Sequence, residues 1–456
     1  MLTGFARTEK MTYKGVLIME NQGIRDARSL GMPKMLVLGL QHMFAMFGAT
    51  VLVPALTGLS VSATLLFAGL GTLLFHFLAK GKVPAFLGSS FAYLAGYAAI
   101  APNGEAALLP YACVGVACSA ILYMVLAALV KSFGTDKVMS FFPPVVTGPI
   151  IICIGMTLAN SAINNCTGSW AIALIAIITV VVFNIWGKGM AKIIPILLGV
   201  IVSYVFAAIM GRVDFSGVAS AAWIGLPVKF ENTVFSLIGN CDTNLLISAI
   251  IAIMPIAFAT MIEHIGDICA ISSTVGENFI EDPGLHRTLM GDGLATALAS
   301  LFGAPANTTY GENTGVLALT RVYDPRVVRI AAVFAILASF CPKFAALVSA
   351  MPAGTIGGVS LILYGMISAI GVRNLVENHV DLSESRNVIV VSLIMSLALG
   401  VTFSSAGAIV FNVGAITLKF SGLAVAAITG IVVNAVLPGN NFKFTSNYAS
   451  GKKKHH

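Results

Sequence analysis

Charge is scarce in this sequence. Asp, Glu, Lys and Arg make up 10% of 456 residues, against 57% hydrophobic residues, whereas soluble domains carry about 25% charged residues. With a mean hydropathy of +0.93, an ordinary soluble domain is excluded. Cysteine is also sparse, at seven residues, and an odd number does not make a disulfide framework. Cys113, Cys118, Cys153, Cys269 and Cys341 fall in or beside apolar stretches and read as packing residues. Cys166 and Cys241 have no spacing that resembles a metal site. Residues 1–34 carry charges throughout and lack a discrete apolar core before a small-residue site, so no cleavable signal is expected. No nucleophile–base constellation is present, so an enzyme is not expected, nor is a metal or organic cofactor.

What the chain has in abundance is long apolar runs. A helix needs about 20 residues to cross roughly 30 Å of hydrocarbon, and about 14 such runs are spaced along the chain. They lie near 35–56, 61–79, 84–100, 109–131, 142–163, 169–187, 192–211, 244–272, 287–302, 305–320, 327–349, 353–370, 387–405 and 416–438. The expected fold is therefore an all-α polytopic membrane protein. With the N-terminus inside, the loops on the cytoplasmic side hold Lys80, Lys82, Lys131, Lys137, Lys188, Lys192, Arg287, Arg321, Arg326, Arg329, Arg373 and Arg386. The opposite loops offer little beyond Arg212, Lys229 and Lys343. This positive-inside bias places both termini in the cytoplasm. Orientation and attraction to anionic lipid headgroups account for the net charge of +7 without a nucleic-acid partner.

An internal repeat organises these spans. Pro84-Ala-Phe-Leu-Gly-Ser-Ser-Phe91 in the third span is echoed by Pro305-Ala-Asn-Thr-Thr-Tyr310 in the tenth, so that Ser89, Ser90 and Phe91 match Thr308, Thr309 and Tyr310. The fifth span, from Phe142 to Pro149, repeats in the twelfth, from Met351 to Gly358, and each then reaches Gly-Met, at 155–156 and 365–366. Both matches pair span n with span n + 7. Seven is odd, so the second half enters the membrane inverted, which is the plan of secondary transporters. Pro and Gly make the third and tenth spans poor continuous helices. Each is expected to hold a short extended segment reaching the midplane, followed by a half-helix that starts at Ser89 or Ser90 in one and near Thr308 in the other. Two half-helix N-termini arriving from opposite sides would aim free N–H groups at one point.

Acids lie close to that point. Glu312 follows the tenth-span break, and an intramembrane charge is costly enough to be functional by default. Glu263 and Asp267 stand four residues apart on one face of the eighth span. His264 points away from Glu263 and reads as a satisfied polar residue. His42, in the repeat-related first span, is a candidate for the site. Asn313 reads as a residue supporting its neighbour Glu312, and Asp292 as an interfacial structural acid near the start of the ninth span. A flat nucleobase suits this chemistry, because it offers N–H donors beside C=O acceptors to a carboxyl. Phe91 or Tyr310 can stack on such a ring, and backbone N–H groups near Gly311 can meet its carbonyls. Three carboxyls around one site also give a coupled proton a carrier.

The sequence resembles the nucleobase–ascorbate transporter family, and within it the bacterial uracil:proton symporters, over nearly its whole length. The resemblance runs from Gln41-His42-Met-Phe-Ala-Met-Phe-Gly-Ala-Thr-Val-Leu-Val-Pro54 through Gly88-Ser-Ser-Phe-Ala92 to Asp282-Pro-Gly-Leu-His-Arg287 and Leu363-Tyr-Gly365. The family signature Gln/Glu/Pro-Asn-x-Gly-x4-Thr-Arg/Lys/Gly is met by Glu312-Asn313-Thr314-Gly315 and Thr320-Arg321. The resemblance implies two inverted seven-span repeats divided into a core domain (35–137 and 244–350) and a gate domain (138–212 and 351–438). An N-terminal segment (1–34), an extracytoplasmic loop (213–243) and a cytoplasmic tail (439–456) complete it. It also implies uracil import coupled to protons across the bacterial cytoplasmic membrane, and a homodimer formed through the gate.

By motif, Glu263 and Glu312 would bind the base, Phe91 and Tyr310 would pack on it, and Gly311 and Ser90 would lend polar contacts. Ala49, His42 and Tyr364 would complete the pocket, the last two through water. Asp267 stands where the uracil carriers have histidine and purine carriers often have an acid, which leaves the coupling residue and a wider base range open. A xanthine or urate symporter of the same family, an anion transporter of the SLC26 type and a channel are the alternatives.

Overall fold

A computed structural model describes residues 23–413, 416–439 and 442. The N-terminal segment up to residue 22 and most of the 439–456 tail lie outside the described residues. The first repeat opens with α1 (Met32–Thr57) and α2 (Val61–Leu78), then strand β1 (Leu87–Ser89) and the half-helix α3 (Leu94–Ile100). It closes with α4 (Leu109–Phe133), α5 (Pro144–Thr167), α6 (Trp170–Trp186) and α7 (Pro195–Ile209). The second repeat follows the same order. Helices α8 (Thr243–Ile253) and α9 (Ala257–Val275) stand for the first span, α10 (Leu285–Leu301) for the second, and strand β2 (Asn307–Thr309) with α11 (Gly311–Thr320) for the third. Then come α12 (Pro325–Ser339), α13 (Pro342–Ser349), α14 (Ala353–Glu377), α15 (Ser385–Thr402), a hairpin of β3 (Ala408–Val413) and β4 (Ile416–Ser421), and α16 (Gly422–Val436).

Strands β1 and β2 occupy matching places in the two repeats and pair antiparallel, Leu87 with Thr309, Gly88 with Thr308 and Ser89 with Asn307. Antiparallel pairing is what an inverted repeat requires of equivalent segments. It also answers the solvation problem, because non-helical backbone at membrane depth is tolerated only where protein surrounds it and its polar groups find partners. All six strand residues are buried.

Several expectations change in the structure. Among the described residues, seven helices are long and apolar enough to cross a membrane, with α8 and α9 counted as one, or eight if the bent pair α12 and α13 also counts as one span. Helices α6, α7 and α16 are apolar but only 17, 15 and 15 residues long, short of the roughly 20 needed at full thickness. The stretch 416–438 is not one helix. It begins as β4, paired with β3, and turns helical only where the Ser421 side chain caps Ala424 N–H. Ile409, Val410 and Phe411 favour a strand as strongly as a membrane, so hydropathy does not separate the two.

The half-helix of the third span begins at Leu94 rather than at Ser89 or Ser90. Ser90 N–H is taken by Ala306 C=O at 2.8 Å, and Phe91 C=O receives Leu94 N–H at 3.1 Å in a turn between strand and helix. Proline breaks two further spans. Pro255 separates α8 from α9 by a 3-10 turn, and Pro342 opens α13 at 87° to α12.

The helices pack in two groups. In one, α10 lies against α2 and α4, and α12 against α1 and α2. In the other, α14 lies along α5 and α6, and α15 along α5 and α16. The α5/α14 pair is the most extensive contact and joins repeat-related helices. A strap before α1 closes one end of the first group. Ile24 bridges Val322 in parallel, with Ile24 N–H donating to Arg321 C=O at 2.7 Å and Tyr323 N–H to Ile24 C=O at 2.8 Å. Arg25 pairs with Glu277, Ala27 N–H donates to Asp324 at 2.8 Å, and Arg326 reaches Asp26 at 2.9 Å.

Candidate functional site

The strand crossing is anchored on all sides. Ser89 Oγ donates to Thr50 C=O on α1 at 2.7 Å, and Tyr310 Oη donates to Ser89 C=O at 2.8 Å. Leu87 N–H reaches Thr72 Oγ1 on α2 at 2.9 Å, and Thr296 Oγ1 on α10 donates to Asn307 C=O at 2.7 Å. Gly88 lets the Tyr310 ring lie close against β1, since a Cβ there would sit 2.5 Å from the ring. Tyr310 is thus fixed by its hydroxyl and its ring together, and both half-helices start from a rigid platform.

Helix α11 begins at Gly311 with Glu312 in its first turn, where the positive end of the helix favours an acid. Facing it on α9 are Glu263 and Asp267, one turn apart. Asp267 Oδ2 accepts from Thr309 Oγ1 at 2.8 Å, and a Cβ on Gly311 would lie 3.9 Å from Asp267 Oδ1. Glu263 Oε2 is buried with no hydrogen-bond partner among the described residues. Glu263 lies within electrostatic reach of Asp267, Asp292 and Glu312, and Asp267 within reach of Glu312 and Asp292. The structure therefore gathers Glu263, Asp267, Gly311 and Glu312 at the start of one half-helix.

The remaining predicted residues surround that point in different ways. Phe91, in the turn before α3, meets the ring of Tyr364 on α14 edge-to-face at 5.8 Å, which ties the two helix groups together. Ser90 and Ala49 are fully buried, and Ser90 Oγ has no partner among the described residues. His42 and Asn313 face each other: Asn313 Nδ2 donates to His42 C=O at 3.1 Å and lies 3.1 Å from His42 Nδ1. That contact fastens α11 to α1. A cavity of about 410 Å3 opens beside the acids between the two helix groups, within the size range of small-ligand sites. Of the predicted residues, only Glu312 lines it, with Gly315 of the same helix and, from the other group, Asn184, Lys192, Pro195 and Met366.

Four participants are not legible in the sequence: Thr309, Asp292, His264 and Lys192. Thr309 was assigned only as a repeat match, yet it holds Asp267. Asp292 is not interfacial: it is the eighth residue of α10, fully buried, with Oδ1 3.6 Å from His264 Nδ1. His264 Nδ1 is also 3.4 Å from Thr309 Oγ1, so His264, expected to stand apart, belongs to a buried chain leading to Asp267. The signal was Gly291-Asp292-Gly293. A Cβ on Gly291 would lie 2.8 Å from Phe75 and one on Gly293 2.4 Å from Tyr123, so the glycines let α10 close tightly around the acid. Lys192 was counted only as a loop charge.

Comparison with known proteins supplies independent findings. A family model described as "Permease family", for xanthine and uracil permeases, matches residues 33–407. The uracil permease of Bacillus caldolyticus is 40% identical over 428 residues, 91% of this chain and 94% of that protein. The uracil permease of Bacillus subtilis strain 168 is 38% identical over 435 residues, 92% of this chain and 95% of that protein. In fold, the chain is similar to the transmembrane domain of a cyanobacterium bicarbonate transporter, BicA, with a TM-score of 0.59 and 14% identity over 90% of this chain and 98% of that one.

Proposed function

The chain belongs to this permease family, and we propose that it imports uracil together with protons across the bacterial cytoplasmic membrane by alternating access. The observation that carries the reading is the placement of Glu312. It lines the cavity from the first turn of α11, with Glu263 and Asp267 opposite on α9. A neutral base presents N–H groups to such carboxyls, and a carboxyl that gains a proton can donate to a base carbonyl. Binding of base and proton at one acid cluster makes each load depend on the other.

The two helix groups supply the moving parts. The group of α1–α4 and α8–α13 acts as a core carrying the acids, and the group of α5–α7 and α14–α16 acts as a gate, with homodimer formation through the gate. Phe91 of the core meets Tyr364 of the gate edge-to-face, so the base would lie beside this contact, at the seam between the two groups. The likeness to a bicarbonate transporter concerns fold alone. An anion would meet Glu263 and Glu312 as like charges, which disfavours that substrate.

The test is uptake of labelled uracil into proteoliposomes with and without a proton gradient, for the unaltered protein and for Glu312→Gln. A hydrogen bond to a charged group is worth about 1.5–3 kcal/mol, so uracil binding by the variant should weaken roughly 10- to 100-fold. Unchanged uptake by a folded Glu312→Gln variant refutes the site. Asp267, where the resemblance leads one to expect histidine, favours a wider base range as a second reading, and competition by xanthine and uric acid measures it.

A further inference from the structure

The cavity beside Glu312 holds a second charge that the transport reading does not use. Among the described residues lining it, Glu312 and Lys192 are the only charged side chains, and Asn184 is the only other polar one. Lys192 belongs to a short helix, Met190–Ile193, bracketed by Gly189 at φ +56 and by Pro195. This helix packs against α11 and α1. The element that bears the cation thus rests on the helix that bears the acid, across the seam between the two helix groups.

Every other element packed on α11 presents Glu312 with acid or with neutral groups. Helix α9 brings Glu263 and Asp267, Asp292 lies behind them, and on α1 His42 is engaged by Asn313. Arg321 sits at the opposite end of α11. A symporter that has released base and proton must still return empty. Glu312 is then a bare carboxylate entering a water-poor interior among other acids, which is strongly unfavourable unless a counter-charge accompanies it. Lysine suits that role, because its compact ammonium rides on a flexible four-carbon stem. Lys192 is exposed at the cavity while the cavity is open.

We propose that Lys192 is the counter-charge of Glu312 in the emptied carrier, closing onto the carboxylate as the cavity narrows so that the unloaded protein can reorient. The proposal rests on the uracil–proton symport reading. It separates two transport modes. Exchange of internal for external uracil uses only loaded states, in which base and proton satisfy Glu312, whereas net uptake requires the empty return.

Proteoliposomes carrying the unaltered protein, Lys192→Met or Lys192→Arg are assayed for net uracil uptake under a pH gradient and for uracil counterflow without one. Loss of the pairing charge should cut net uptake by Lys192→Met more than about tenfold while counterflow stays within about twofold, and Lys192→Arg should restore net uptake. Retained counterflow also shows that the variant is folded. Net uptake by Lys192→Met equal to that of the unaltered protein overturns the proposal, as does an equal fall of uptake and counterflow. Absence of counterflow in the unaltered protein overturns the symport reading, and the role of Lys192 with it.

Discussion

Gly155 and Gly365 stand at matching places in the two repeats, each followed by methionine, yet adding one methyl group should act oppositely at the two sites. On α5, a Cβ at Gly155 would lie 2.2 Å from Tyr364 C=O and 2.3 Å from Ser368 Oγ on α14; at Gly365 it would meet nothing within 4 Å. Real Cβ contacts do not fall below 3.0 Å, so α5 and α14 would have to part by about 0.8 Å at Gly155. The obstructing carbonyl is backbone and has no rotamer to escape into. Small residues at membrane helix crossings exist to allow this approach. Overpacking costs about 1–3 kcal/mol, and replacing a helical Gly by Ala returns about 1 kcal/mol. Gly155→Ala should therefore be destabilised by up to about 2 kcal/mol and Gly365→Ala stabilised by up to about 1 kcal/mol. Thermal unfolding of the purified proteins in detergent measures the difference. The displaced segment carries Tyr364, whose ring meets Phe91 at 5.8 Å, so uracil uptake should fall in Gly155→Ala and persist in Gly365→Ala. If Gly155→Ala melts at or above Gly365→Ala, the close crossing is refuted.

Two further outcomes follow from hydrogen bonds. Thr309→Val removes the donor that holds Asp267 at 2.8 Å. Leaving a buried carboxyl oxygen unpaired costs about 1–3 kcal/mol, so uptake should drop around tenfold, Thr309→Ser should stay close to the unaltered protein, and equal behaviour of the two variants would count against Thr309. The strap gives a pH test. A side-chain hydrogen bond from Arg28, joined by Arg28 N–H, holds the Asp26 carboxyl below its ordinary value of 3.8. A depressed folded-state value stabilises fully above the unfolded one and is lost as pH falls through the folded one. Hydrogen exchange at Ile24 and Ala27 should therefore show the same protection at about pH 7 and pH 5 once intrinsic rates are corrected, and weaken only below about pH 4. Loss of protection between pH 7 and 5 would mean that other groups hold the strap.

The parts of this fold legible in the sequence are those written in local punctuation. Pro84 and Gly88, echoed by Pro305 and the Thr308-Thr309 pair, announce two broken spans at one repeat position, and inversion by an odd number of spans implies their antiparallel meeting. Glu312, Glu263 and Asp267 stand out because acids are rare in this chain. What stayed hidden depends on partners distant in sequence. Ser90 has the chemistry of a helix cap, but the chain first makes a turn that closes with Leu94 N–H on Phe91 C=O, so the helix starts only at Leu94. The run 408–421 is as apolar as its neighbours, and only pairing with itself makes it a hairpin. Asp292 looked interfacial because its distance from the start of an apolar run was counted, whereas α10 begins earlier, at Leu285.

The duplicated scaffold is symmetric, but its chemistry is not. In the structure Ser89 and Thr309 are the equivalent residues, one place off the sequence match, since each ends its strand and Ser90 N–H donates to Ala306 C=O as Tyr310 N–H does to Phe86 C=O. Thr309 donates its hydroxyl to the Asp267 carboxyl on α9, whereas Ser89 donates its hydroxyl to the Thr50 C=O on α1, a helix that contains no Asp or Glu. All four clustered acids, Glu263, Asp267, Asp292 and Glu312, come from the second repeat; the first contributes Phe91, Ser90 and Ala49. A proton shared among carboxyls needs them close together, so placing every acid on one repeat keeps the titrating groups in a single rigid neighbourhood. The opposite repeat then adds Phe91 and Ala49 to the apolar and aromatic wall that a flat base requires, beside Tyr310 of the second repeat. The buried Ser90 hydroxyl, without a hydrogen-bond partner among the described residues, gives that wall a polar group left to meet a ligand. On this division, the proton chemistry lies in one half of the internal symmetry while both halves pack the base, and the β1/β2 ladder joins them.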